Sequence, residues 1–548
     1  MSADANAPVV KRRLAIVGCG SSGLVTLKYA LDALPDWGIV CFEKTDSITG
    51  CWGNPHPGFV STSTKFTTQF ACFALFDASV HEDGGDSRSE FFRDGEYGEY
   101  LEAFADAFQL RRAIRLSATV QNLKHRNSYW ECEIFDGTTG TIAAESFDAV
   151  VICTGLAAKP HQTRFPTQPI PAMVALDVLK SRTGLEHIQD KRIVVLGGGE
   201  SAVDYAFRLS KPELRNKVYL SLRSGIRVSP RYHPIRGVPS DFLRNRLMLS
   251  IHSDLRNWIG ERFVALRIRY QEVFERFFPP PKRHRSQQSN EDGDGIVERR
   301  KAWAYRLTLA AKDDLFNMFH NKSDDFLDAI ARGRIEVIGK PVDDGCRDFY
   351  QFESTQRVAI NPDVLVPAIG FQSSLADISD EPIRIADFYL GCRHVTLPNL
   401  FLIGFARPII GNIPSISEMQ ARYVCQVIAG QTGDSKDLAK RHDVDRDMSR
   451  KRYAALNLAA MYPVEMFPYC DRLAVEMGLG RDLQKRWRRQ FIPASTMHYF
   501  PTDDKANQKL DTTPIYMPWT LIAFLLLLLP IDFVYRRLKY RSDQTEKT

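Results

Sequence analysis

Residues 13–44 read RLAIVGCGSSGLVTLKYALDALPDWGIVCFEK: an apolar strand, a glycine-rich turn and an apolar-periodic helix in direct succession. Leu14 to Val17 form the strand, Gly18, Gly20 and Gly23 fill G-x-G-x-x-G, and Leu24 to Leu34 can form the helix. Gly18 permits the tight turn, Gly20 lets backbone approach a pyrophosphate, and Gly23 lets helix and strand pack closely. Ser22 stands at the helix start, where unpaired backbone N–H groups favour an anion. The next strand, Ile39 to Phe42, ends in Glu43, and 43 − 23 = 20 residues is the spacing of an acid that accepts from ribose hydroxyls. A glycine triplet alone is weak evidence. With strand, helix and distant acid in order, the stretch reads as the opening of a dinucleotide-binding unit.

A second turn follows the same plan. Arg192 to Leu196 is a β-branched strand, and Gly197, Gly199 and Ala202 give G-x-G-x-x-A, with Ser201 at the start of a helix through Leu209. The strand after it, Val218 to Leu222, ends at Arg223 and not at an acid. An acid there would repel a 2′-phosphate, whereas a guanidinium holds it bidentately, so the spacing points to NADPH over NADH, with Arg227 as a possible assistant. The bland reading of Arg223 is a solvated surface arginine.

Composition narrows the class. At 548 residues the chain is too long for one core and calls for two or three domains. Its balance of 72 basic and 66 acidic residues, net +6, is no argument for nucleic acid. Ten scattered cysteines with no C-x-x-C pair and no metal-ligand spacing suit a reducing compartment and count against a dithiol reductase. No H-E-x-x-H or G-x-S-x-G occurs, and the N-terminus lacks a secretory apolar core.

Between the turns, Trp52 lies in the loop TDSITGCWGNPHPG, where it either walls a flat ring or packs as an ordinary aromatic. A polar run, Ser61 to Lys65, follows it. Tyr97, Tyr100, Leu101, Phe104 and Phe108 recur at helical spacing and read as core. Residues 241–278 look helical and arginine-rich, either lying on an anionic membrane or packed on the core as an insertion. The strand ending Asp363 to Phe371 repeats the pattern of Asp148 to Gly155, as if the chain leaves and re-enters one nucleotide domain. Ser415 or Ser417 can cap the helix that runs through Gln426, whose N-terminus suits an anionic ring edge.

These motifs, with F-E-K-T-D-S-I-T-G-C-W around Glu43, L-R-S-G at 222–225, P-A-I-G-F at 367–371 and L-I-G-F before that helix, resemble the flavin-containing monooxygenase family over roughly residues 13–500. The resemblance implies an α/β fold of two Rossmann-like domains, the NADPH domain inserted into the FAD domain. It places FAD on residues 13–158 and 345–430, NADPH on 190–344 with a helical insertion about 230–320, and a helical extension at 431–512. It also implies that a C4a-hydroperoxyflavin, formed from NADPH and O2, oxygenates a soft nitrogen or sulfur of a small lipophilic substrate.

Two departures stand out. The family's F-x-G-x-x-x-H-x-x-x-(Y/F) segment belongs between Phe165 and Lys180, where this chain has neither the glycine nor the histidine. The asparagine of the family's N-T-S-K run aligns with Thr62, the expected catalytic position, and a hydroxyl has fewer donors than an amide. A leaky NADPH oxidase, a membrane NADPH–quinone reductase and a flavin-binding sensor without turnover therefore stay open, with a Baeyer–Villiger enzyme less favoured.

At the tail, Met517 to Tyr535 spans 535 − 517 + 1 = 19 largely apolar residues, near the roughly 20 that cross a bilayer. Pro530 and Asp532 complicate a clean span, while Trp519 and the basic residues after Tyr535 suit interfacial anchoring. The expectation is a membrane anchor at 515–537, spanning or monotopic, with catalytic domains facing the cytosol, on the endoplasmic reticulum in a eukaryote. The alternative is a buried hydrophobic helix.

Overall fold

The computed structural model describes residues 11–545 except 54–57, 81–89, 162–171, 174–184, 277–293, 312–317, 433–436, 480–486 and short gaps at 186, 234–236, 271–272, 275, 344, 455 and 502–503. The chain opens with β1 (Arg13–Val17), α1 (Ser21–Ala33) and β2 (Gly38–Phe42), with β2 parallel to β1 and Leu14 opposite Ile39. An excursion carries β3 (Val60–Thr64) before β4 (Ala149–Ile152) returns to the other side of β1, Leu14 opposite Ala149. The second turn is built likewise from β5 (Arg192–Leu196), α2 (Glu200–Leu209) and β6 (Lys217–Ser221), with Ile193 opposite Val218. After α3 (Arg246–Ser250) and α4 (Ser253–Arg269), β7 (Ile335–Pro341) pairs parallel with β6, and β8 (Val364–Pro367) parallel with β5. The chain then re-enters the first sheet at β9 (Leu400–Leu402), beside β4, and continues into α5 (Ile413–Ile428) and finally α6 (Trp519–Thr545).

Among the described residues each of these two main sheets has seven strands with a parallel centre. A parallel strand is covered on both faces, which is why Leu14, Ala15 and Ile16 are all fully buried and read as an unbroken apolar run. In the first domain α1 lies along α5, with Ser22 Oγ and Ser417 Oγ 2.9 Å apart. Tyr97, Tyr100, Leu101 and Phe104 are buried in this domain's core, as their spacing requires. None of the ten cysteines takes part in a disulfide.

Four expectations need correction. The repeated strand-to-glycine pattern does not mark two passages of one domain: β4 belongs to the first sheet and β8 to the second, where it hydrogen-bonds to β5, so the second domain extends past residue 345. The patterns match because each strand neighbours the first strand of its own sheet. Residues 241–278 are not one helix: a 3-10 turn at Ser240–Leu243 precedes α3, whose Asn245 side chain accepts from the Met248 N–H at 2.9 Å. The α5 cap is Asn412, not Ser415 or Ser417; its Oδ1 accepts from the Ser415 N–H at 3.0 Å.

The fourth concerns the tail. Among the described residues no helix is long and apolar enough to cross a membrane. One side of α6 is committed to protein: Ile522, Leu525 and Leu528 pack with Leu247 and Ile251. Asp532 is buried with them, accepting from the His252 N–H at 2.7 Å and from Arg536 at 2.6 Å, so its charge is satisfied by the fold and not by a headgroup layer.

Candidate functional site

The first glycine turn has the backbone its sequence calls for. Gly18 sits at φ +97°, where a Cβ would lie 2.9 Å from the Cys153 carbonyl oxygen, and a Cβ at Gly23 would overlap the Gly18 carbonyl. Gly20 precedes α1 without a side-chain cap, so no side chain competes for the N–H groups of the first helical turn, the cradle that a phosphate group requires. Glu43 lies beside it: one carboxylate oxygen accepts from the Cys19 N–H at 2.8 Å, the other from the Thr45 N–H at 3.0 Å and its hydroxyl at 2.9 Å. Trp52 meets the Tyr97 ring edge-on at 4.9 Å and also borders the cavity described below.

The second turn matches it. Gly197 sits at φ +124°, and Gly199 starts α2, again with no side-chain cap and with Ser201 in the first turn. A Cβ at Gly198 would lie 3.2 Å from Leu222 and 2.8 Å from Ile226, which puts the L-R-S-G loop against the turn. Arg223 is exposed between those two buried residues. Arg227 is not its assistant, because it is buried and paired with Glu261 at 2.7 Å.

A cavity of about 210 Å³ is lined by residues of both domains. It is bordered by Trp52 and Thr62 of the first domain, Glu200 and Lys322 of the second, and Arg407 and Asn412 ahead of α5. A larger cleft of about 830 Å³, lined by residues 393–399, 401, 427, 430–432 and 438–439, includes neither turn. The strand that carries Thr62 is held by the second domain. Arg231 donates to the Val60 and Ser61 carbonyls at 2.8 and 3.0 Å, and buried Asp241 accepts from the Thr64 N–H at 3.0 Å and from Lys322 Nζ at 2.6 Å. Burial opposes charge on Asp241, but Lys322 and Arg244 hold it below the usual carboxylate range; burial also lowers Lys322. Asn412 donates to the Thr67 carbonyl at 2.6 Å and so ties the start of α5 to the same segment.

Sequence reasoning missed Glu200, Lys322, Asp241, Arg407 and Asn412. Glu200 carries a signal, since it sits inside the second turn, and Arg407 is a charge in the apolar run FLIGFARPII. Lys322, Asp241 and Asn412 are local polar residues brought together by tertiary structure. The segment Phe165–Lys180 lies outside the described residues apart from the short strand Ala172–Met173.

With this geometry in view, comparison with known proteins is decisive: a family description reading "Flavin-binding monooxygenase-like" matches residues 11–285. The chain belongs to that family. Its class is that of the FAD- and NADPH-dependent monooxygenases. Similar proteins include the dimethylaniline monooxygenase (N-oxide-forming) 2 of Mus musculus, 26% identical over 494 residues, which cover 86% of this chain and 83% of the relative. Flavin-containing monooxygenase 2 of Homo sapiens is 26% identical over 520 residues, covering 89% and 88%. Among solved structures, the S-allyl-L-cysteine S-oxygenase from Allium sativum superposes with TM-score 0.52 at 17% identity, covering 87% of this chain and 91% of that one. A steroid monooxygenase bound to NADP gives 0.54 at 16%, covering 85% and 98%. The two solved structures establish the shared fold.

Proposed function

We propose that the first turn holds FAD through Gly18, Gly20, Ser22, Gly23 and Glu43, and that the second holds NADPH through Gly197, Gly199, Ser201 and Arg223. The reaction at the cavity transfers one oxygen atom of O2 to a soft nitrogen or sulfur of a small substrate. The observation that carries this reading is the cavity, where Thr62, the start of α5 and the start of α2 border one space. Bound FAD, reduced by NADPH, supplies the oxygen chemistry.

The chain supplies position and shelter. Uncapped N–H groups at both turns receive the pyrophosphates, and the Glu43 carboxylate accepts from ribose hydroxyls. Trp52, Phe92 and Tyr97 wall out water on one side. The Thr62 hydroxyl offers one donor there, and the N-terminus of α5 favours negative charge beside it. No side chain is asked to carry out acid–base chemistry on the substrate.

Purified protein is expected to carry FAD, to have it reduced by NADPH without oxygen, and to place one atom of labelled O2 in a thioether or tertiary amine. Stoichiometric hydrogen peroxide with no oxygenated product leaves the oxidase reading. NADPH oxidation that demands added quinone leaves the quinone reductase.

The outer face of α6 exposes Leu527, Ile531, Phe533 and Val534, with Arg536 and Arg537 beyond them. We propose that this face rests on a membrane surface without crossing it, the catalytic domains facing the cytosol.

A further inference from the structure

We infer that the substrate is a small zwitterion, an amino-acid-type thioether or amine, held by Arg407 and Glu200 at the cavity; the inference rests on the monooxygenase reading of that cavity. Arg407 lies in the strand Ala406–Ile410, directly after the fully buried Phe405 and Ala406. Its guanidinium carbon lies 3.9 Å from the centre of the Phe319 ring, and both side chains border the cavity. Its backbone pairs with the strand Tyr462–Glu465, but among the described residues the Arg407 side chain makes no hydrogen bond and no ion pair. Burial lowers its pKa and Glu200 acts against that. A guanidinium stacked on an aromatic face keeps its edge donors, a fork that matches a carboxylate. A buried charge is disfavoured unless something pairs with it, and here the open position is the cavity.

Glu200 is its counterpart at the same cavity. It is the first residue of α2, exposed and bordering the cavity, and among the described residues its side chain too makes no hydrogen bond or ion pair. The protein packed around its carboxyl displaces water and raises it above the usual range, although the residue as a whole keeps exposed surface; Arg407, Lys322 and Arg231 oppose the rise. Arg407 and Glu200 border the same cavity without forming a salt bridge, so neither neutralises the other by direct contact. The other cations at the cavity are already engaged: Lys322 and Arg244 face Asp241 at 2.6 and 3.8 Å. What remains at the cavity is one open guanidinium and one open carboxyl. A purely lipophilic amine, cationic at neutral pH, meets repulsion from Arg407. A ligand with a carboxylate at one end and an ammonium at the other satisfies both groups, leaving its sulfur or nitrogen side chain for the apolar part of the cavity.

The test uses FAD-loaded full-length enzyme with three probes: S-methyl-L-cysteine, its methyl ester and its N-acetyl derivative. Arg407→Gln is expected to raise KM roughly ten- to hundredfold for the free amino acid and the N-acetyl acid but not for the ester, the loss of one charge-assisted contact. Glu200→Gln is expected to raise it for the free amino acid and the ester but not for the N-acetyl acid. Arg407→Lys should recover part of the loss. Independently of turnover, titrating the free amino acid into oxidised, NADP+-loaded enzyme should perturb the flavin spectrum, and Arg407→Gln should abolish that change. Equal shifts for all three probes, or no spectral response in the unmodified enzyme, overturns the proposal. So does weaker NADP+ binding by Arg407→Gln with sulfide KM values unmoved, which assigns the arginine to the nicotinamide cofactor. If peroxide forms and no sulfide is oxygenated, the monooxygenase reading fails, while the spectral titration still decides the zwitterion site.

Discussion

Arg223 shows how far a single residue carries the reading. It was singled out because it ends the strand after the second turn, and it stands exposed beside that turn with its flanking residues packed on Gly198. An arginine there is free to meet a 2′-phosphate. A charge-assisted hydrogen bond contributes about 1.5 to 3 kcal/mol, which solvent screening trims at an exposed site. Arg223→Ala should therefore cut the preference for NADPH over NADH by roughly ten- to a hundredfold in the ratio of kcat/KM values, chiefly through the KM for NADPH. An unchanged ratio would remove Arg223 from the cofactor site. Glycines and strand-end residues were legible because their requirements are local: Gly18 needs a positive φ and Gly23 a close neighbour, and both needs follow from four or five residues of sequence. The cavity charges were not. Arg407 and Glu200 lie 407 − 200 = 207 residues apart, and only the closed fold brings them to one cavity.

Among the elements, α6 separates hydropathy from placement. Its composition gives one signal, an apolar run of membrane length, but the structure divides that run between two faces. Ile522, Leu525 and Leu528 are buried, three residues apart, whereas Leu527 is 73% and Phe533 55% exposed. Asp532 joins the buried stripe because the backbone of His252, just before α4, needs an acceptor. Leu525→Ala should then destabilise the protein by about 2 to 4 kcal/mol, as a buried leucine truncated in a packed layer does. Leu527→Glu with Phe533→Glu should leave thermal stability nearly unchanged but reduce co-sedimentation with anionic lipid vesicles. If the outer-face pair sediments as before, α6 makes no lipid contact. The start of α5 teaches the same lesson at smaller scale. Serines were the obvious cap candidates, yet Asn412 takes the role because its amide bonds the Thr67 carbonyl while its oxygen caps the helix, two tasks that a hydroxyl at Ser415 or Ser417 does not meet together.

Across the whole molecule, the two dinucleotide units were legible and their junction was not. Parallel strands announce themselves as apolar runs, but the sheet each one joins depends on which partner it meets, so β8 was misassigned. The junction itself rests on Asp241, Lys322 and Arg231 gripping β3, a set of long-range polar contacts with no periodic signature. The C-terminal extension is tied to the same body by a group whose protonation reports on global folding. His498 is 3% exposed, meets Phe467 edge-on at 5.3 Å, and has its pKa lowered from 6.5 to about 3, by burial first and by Arg246 and Arg489 after it. The folded protein therefore keeps this imidazole neutral until about pH 3, while the unfolded chain takes up a proton below about 6.5. Below that pH the unfolded state binds more protons, so stability falls as pH drops from 6.5 towards 3. At pH 5 the contribution is (6.5 − 5) × 1.36, or about 2 kcal/mol of lost stability. Thermal unfolding midpoints of the intact protein should drop on going from pH 7 to pH 5. In His498→Gln, which carries no titrating ring, the drop should be smaller by an amount matching that figure. Parallel curves for the two proteins across this range would mean that His498 is protonated, or reached by water, in the folded state.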